Sequence, residues 1–197
     1  MIGIVLASAS PRRSELLRQV GLDFEVVLSD IDESNKENLK ADELVQHLAY
    51  HKALDVARKV ANRDNGKNRY LVIGADTVVV KDGILGKPKD RNDAIRMLKH
   101  LSASWHEVMT GISIIDTADF ESVKSLEVTR VKMKELSDDT ILAYVDSKEP
   151  MDKAGAYGIQ EKGALLVERI EGCYFNVVGL PLARLSDLLK DFGVPVL

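Results

Sequence analysis

Along the chain, short apolar runs alternate with amphipathic stretches of helical period, and the order in which they come predicts the elements. Residues 2–7, Ile-Gly-Ile-Val-Leu-Ala, are an unbroken apolar run of the buried-strand kind. Leu16, Leu17 and Val20 then recur at helical spacing behind Ser10 and Pro11, with Gly21 after them, which predicts a helix over 11–20 with Ser10 as its N-cap. Residues 24–28 read as a strand, 29–40 as a polar stretch, 41–62 as a helix and 64–69 as a polar loop. The next strand, 70–80, is strongly apolar and contains a single acid, Asp76. A turn at 81–83 leads into 84–88, and Asp90 caps a helix that runs through about Leu101. Two alternating segments, 106–116 and 120–134, have the short-loop spacing of an antiparallel pair. Ser137 caps a helix to about Asp146, a Gly-rich loop covers 152–160, and 164–170 with 174–178 read as a further hairpin. Pro181 opens the last helix, which Gly193 and Pro195 end. This is not a pure βαβα series. It predicts an α/β fold in which a mixed sheet is flanked by helices, with a groove between two lobes.

Composition narrows what such a fold can serve. At 197 residues the chain can bury a sizeable core without a metal or disulfide, as one large domain or two small lobes. Cys173 is the single cysteine, reads as a packing residue, and fits a reducing cytoplasm. No apolar run approaches the ~18 residues of a membrane span, and the first run has no basic region ahead of it, so neither a span nor a signal peptide is expected. A net charge of −4 disfavours an extended nucleic-acid surface, and basic residues are not interleaved with aromatics along any strand. Any polyanion would have to be a small molecule met by basic residues gathered locally.

Such a gathering stands at the first helix. Arg12 and Arg13 occupy its first turn, where the unpaired backbone N–H groups already contribute roughly half a positive charge and acidic residues are the usual choice. A strand, a tight loop containing Ser8, and a basic helix start together form an arrangement suited to phosphates. Asp76, in Gly-Ala-Asp-Thr, would be costly to bury alone and must meet a cation, a metal or water. Lys52 falls near the centre of the apolar arc of the second helix, so its ammonium must snorkel to an edge or meet an anion. Glu33 lies in an acidic cluster just after a strand, a common source of metal-binding oxygens, and Lys87 in Gly-Lys-Pro could present an ammonium to a phosphate. Other templates fail. His47 and His51 lack the glutamate of the zinc-protease pattern, and there is no serine-hydrolase elbow and no dinucleotide-binding glycine fingerprint.

Four separated segments, Leu6-Ala-Ser-Ala-Ser-Pro-Arg-Arg13, Gly74-Ala-Asp-Thr77, Gly86-Lys-Pro88 and Asp152-Lys-Ala-Gly-Ala-Tyr-Gly-Ile-Gln160, together resemble the Maf family of nucleoside triphosphate pyrophosphatases. The resemblance extends over residues 6–182. It implies one Maf-like domain over 1–197, two-lobed around a nucleotide cleft, akin to the inosine triphosphate pyrophosphatases (Ham1-like), and commonly a homodimer. The implied reaction is hydrolysis between the α and β phosphates, giving a monophosphate and pyrophosphate with a divalent cation, Mg²⁺ or Mn²⁺. It assigns Asp76 as proton acceptor, and Arg12, Thr77 and Gln160 as the positions that mark substrate preference; Glu33 and Lys52 also match active-site positions. The Gly-Ala-Asp-Thr strand and the Tyr-Gly-Ile-Gln loop are similar to those of the dTTP/UTP branch. One departure is Glu161-Lys162, where many relatives have a glycine directly after the glutamine. Under this expectation Ser8, Arg12, Arg13, Lys52, Thr77, Lys87 and Gln160 bind substrate, and Glu33 and Asp76 bind the metal. The competing class is a nucleotide-binding regulator of cell division without catalysis; a carboxylate beside the phosphates favours the enzyme, since a pure sensor gains nothing from that repulsion.

Overall fold

The computed structural model describes residues 2–63 and 67–197. In chain order its elements are β1 (Ile2–Leu6), α1 (Pro11–Gln19), β2 (Glu25–Val26), α2 (Ala41–Arg63), β3 (Arg69–Val80), β4 (Ile84–Leu85), α3 (Arg91–Leu101), β5 (Trp105–Asp116), β6 (Ser122–Met133), α4 (Asp138–Asp146), β7 (Val167–Glu171), α5 (Tyr174–Val178) and α6 (Leu182–Asp191). The sheet runs β2-β1-β3-β5-β6-β7, with β4 paired to β3. Its pairing is mixed: β1 is parallel to β2 and β3, whereas β4 is antiparallel to β3 and β7 to β6. The expected α/β class with a mixed sheet and flanking helices is therefore the observed one.

The chain folds as two compact units, the first made of Met1–Asp76, Thr110–Glu127 and Gly179–Leu197, the second of Thr77–Met109 and Val128–Val178. In the first, α2 lays Ala53, Val56, Ala57 and Val60 on Val5, Ala7, Val72 and Ile115, the apolar positions of β1, β3 and β5 and the residue just past β1. Glycines allow the close approach. A Cβ on Gly74 would stand 2.1 Å from the Ala49 carbonyl oxygen, and one on Gly111 2.3 Å from that of Val45. At the start of α2 the Glu43 carboxylate reaches back to accept from the Lys40 N–H at 3.2 Å. In the second unit α3 and α4 bury Leu98, Leu101, Ile141 and Tyr144 with Val108, Val131 and Met133, and both helices carry the expected side-chain caps from Asp90 and Ser137.

Several expectations are corrected. Residues 174–178 form a helix, α5, and the partner of β7 is β6. Gly172, at φ 129°, breaks the extended run, and the buried Asn176 amide donates to the Val108 carbonyl and to Thr129 Oγ1, both at 2.9 Å. A short apolar run cannot by itself distinguish a strand from a single buried helical turn. The strand expected over 24–28 shrinks to Glu25–Val26, both exposed, at the edge of the sheet. The loop over 152–160 follows a short 3₁₀ turn at Glu149–Asp152 and contains another at Ala154–Ala156, and part of the loop expected over 64–69 lies outside the described residues.

Candidate active site

Five of the residues singled out in the sequence come together in the first unit. Ser10 takes the N-cap backbone conformation ahead of α1, but its side chain makes no capping bond. Ser8 is the hydroxyl used instead: its Oγ accepts from the Ser10 N–H at 3.2 Å and from Arg13 Nη1 at 3.1 Å. Arg13 is buried, 9% exposed. Its Nη1 also donates to the Ala75 carbonyl at 2.9 Å and its Nε to the Gly179 carbonyl at 2.9 Å. One guanidinium thus joins the loop after β1, the strand residue next to Asp76, and the segment leading to α6. Burial lowers the Arg13 pKa from its ordinary value and the adjacent Arg12 adds to this, while Asp76 and Glu33 oppose it. Arg12, the next residue back, is half-buried.

The acid of β3 has found its cation. Lys52 Nζ donates to Asp76 Oδ1 at 2.7 Å and lies 3.0 Å from Glu33 Oε1. The Lys52 side chain is 8% exposed and that of Asp76 12%, whereas Glu33 is 56% exposed. Lys52 therefore does not snorkel: its stem stays in the apolar arc of α2 and its head meets two carboxylates. Buried charges persist only when paired in this way, because desolvation otherwise drives them to neutrality. Both carboxylates offer hard oxygen donors within reach of one ammonium, a donor type that suits Mg²⁺ or Mn²⁺ completed by waters and phosphate oxygens. Among the described residues no group of three or more His, Cys, Asp or Glu side chains gathers to hold an ion without such help.

Thr77, Lys87 and Gln160 belong to the second unit. Thr77 follows Asp76 directly on β3 and is half-buried, and Lys87 is exposed. The Gly155 N–H donates to the Gly86 carbonyl at 3.0 Å, which ties the Gly-Lys-Pro segment to the loop that ends at Gln160. Glu149, which the sequence did not mark, anchors the far side of that loop. Its carboxylate accepts from Tyr144 OH at 3.0 Å, Gly163 N–H at 3.1 Å and Lys162 N–H at 3.3 Å, and Tyr144 OH in turn accepts from Gly158 N–H at 3.2 Å. A glutamate between helices carries no signal of such a role; only the packing of the loop reveals it.

The family profile described as Maf-like protein matches residues 3–192. The chain belongs to the Maf family. It is 84% identical over 197 residues to the dTTP/UTP pyrophosphatase of Acetivibrio thermocellus, covering all of this chain and 98% of that relative. It is 52% identical over 196 residues to the dTTP/UTP pyrophosphatase of a Thermoanaerobacter species, covering 98% of this chain and 99% of the relative. Among solved structures, a HAM1 protein from Coxiella burnetii superposes with a TM-score of 0.50 at 17% identity, over 97% of this chain and all of that one, and so shares the fold. In this Maf chain the four motif segments lie in two groups: the first two meet at Arg13 and Ala75, and the last two at Gly86 and Gly155.

Proposed function

We propose that this Maf protein hydrolyses dTTP and UTP to the nucleoside monophosphate and pyrophosphate, with Asp76 as the proton acceptor. The observation that carries the reading is the juxtaposition of a buried carboxylate, Asp76, with Lys52 and Arg13 beside a helix N-terminus. A triphosphate brings about four negative charges, and phosphoryl transfer is catalysed mainly by positioning and by neutralising charge. Arg12, Lys52 and Lys87 supply cations, and the start of α1 adds backbone N–H donors near Ser8. Arg13 holds the Ala75 carbonyl, so the strand presents Asp76 in a fixed direction while the guanidinium charge remains in the site. Asp76 orients a water and takes its proton as the water oxygen bonds to the α phosphorus; the bond from that phosphorus to the α–β bridging oxygen breaks, and pyrophosphate leaves on that oxygen with the bond's electron pair. A divalent cation held by Glu33 and Asp76 would supply charge neutralisation for the phosphates.

Thr77 and Gln160 are proposed to read the base. A glutamine amide offers one donor face and one acceptor, matching the imide edge shared by thymine and uracil and absent from cytosine. In this reading the whole chain is one functional domain built from both units, working in the cytoplasm as a homodimer. A panel of dTTP, UTP, CTP and GTP with Mg²⁺, followed by pyrophosphate release, tests it. Fast release from dTTP and UTP and release at least ~10-fold slower from CTP and GTP is expected; equal rates on all four would remove the role given to Gln160.

A further inference from the structure

We propose that Lys52 stands in for the divalent cation in the nucleotide-free protein, and that it makes metal binding conditional on the triphosphate. The inference rests on the reading of Glu33 and Asp76 as metal-facing carboxylates. Two carboxylates brought to one partly buried place repel unless a cation sits against both. Lys52 Nζ does so, 2.7 Å from Asp76 Oδ1 and 3.0 Å from Glu33 Oε1.

The stem of Lys52 is buried. It rises from α2 within the apolar arc that includes Leu48, Ala49 and Val56, and its side chain is 8% exposed. A divalent ion approaching the same oxygens meets a positive charge a few ångströms away in a medium of reduced dielectric, where repulsion is far larger than in water. With Arg13 also buried alongside, the local balance is two buried cations against two carboxylates before any metal arrives. Adding a divalent ion alone tips it strongly positive, whereas a metal arriving with a triphosphate restores it and gives the displaced ammonium an anion to face. Lys52 is in this sense a coupling device: it lowers affinity for the free ion and favours the metal–nucleotide complex, and linkage requires the nucleotide to bind more tightly with metal by the same factor.

The test uses Mn²⁺ binding to the nucleotide-free full-length protein, followed by titration calorimetry and by the Mn²⁺ paramagnetic resonance signal. Lys52→Gln is expected to bind Mn²⁺ about tenfold or more tightly than the unaltered protein, within the usual range of coupling energies, and Lys52→Arg, which keeps the charge, to stay weak. Equal or weaker Mn²⁺ binding by Lys52→Gln would overturn the proposal. A second readout needs no variant: the Lys52 Nζ resonance of protein labelled with ¹⁵N-lysine should change little when Mg²⁺ is added alone and shift on addition of Mg²⁺ with a non-hydrolysable UTP analogue. A full shift with Mg²⁺ alone would contradict conditional binding. Pyrophosphate release from dTTP is scored separately, so failure of the coupling leaves the assignment of the reaction standing, and the reverse.

Discussion

Asp76 is paired and aimed by its neighbours rather than by solvent. Its carboxylate is bonded to Lys52 Nζ at 2.7 Å, and the carbonyl one residue earlier is fixed by Arg13 at 2.9 Å. Asparagine at this position is isosteric, leaves Lys52 its contact with Glu33, and removes the proton acceptor. Asp76→Asn should therefore keep nucleotide binding within a few-fold and lose turnover by ~10² or more, measured as kcat for pyrophosphate release beside a direct Kd. The sequence exposed this residue clearly, since a lone acid in an apolar strand demands a partner. It also exposed Lys52, which it left poised between solvent and an anion. What it could not separate were the two arginines: adjacency in the chain says nothing of which guanidinium turns inward, and the structure buries Arg13 on the Ser8, Ala75 and Gly179 oxygens.

At the scale of elements, the packing of α2 on β3 brings Lys52 to Asp76. It depends on Gly74, whose absent side chain lets the helix backbone come close: an added Cβ would lie 2.1 Å from the Ala49 carbonyl oxygen and 2.9 Å from the Ala53 nitrogen. Gly74→Ala must push α2 outward, so it is expected to destabilise the protein by about 1–3 kcal/mol in urea unfolding and to reduce kcat along with stability. Most elements were legible because their signals are local: the Asp90 and Ser137 caps, the 3.6 period of α3, and the apolar run of β3. The error at residues 174–178 has the opposite origin. What makes that run helical is tertiary, the turn at Gly172 and the buried Asn176 bonds to Val108 and Thr129, and nothing in five residues announces it. The loop ending at Gln160 was found by motif, whereas its support by Glu149 and Tyr144 was not.

For the molecule as a whole, one source of the response to acid outside the site is a buried histidine. His106 is 3% exposed in the second unit, with Nε2 2.6 Å from Tyr157 OH and Nδ1 without a hydrogen-bond partner among the described residues. Burial, with a smaller contribution from Lys81, pushes its pKa from 6.5 down to about 4. The folded state therefore holds the ring neutral where the unfolded chain binds a proton. Stability from this group is full above pH 6.5 and is lost as pH falls from there through about 4, to the extent of about 3 kcal/mol. His106→Gln keeps a polar group near Tyr157 and removes the titration, so its unfolding midpoint should fall less between pH 7 and pH 4 than that of the unaltered protein. No helix among the described residues is long and apolar enough to cross a membrane. The central claim, that this Maf protein cuts between the α and β phosphates, is tested most directly by ³¹P NMR of dTTP incubated with the protein and Mg²⁺. Inorganic pyrophosphate and dTMP should appear in equal amounts, with neither dTDP nor orthophosphate accumulating, and Asp76→Asn should leave the dTTP signals unchanged over the same interval. Appearance of dTDP with orthophosphate, or undiminished pyrophosphate release by Asp76→Asn, would contradict it.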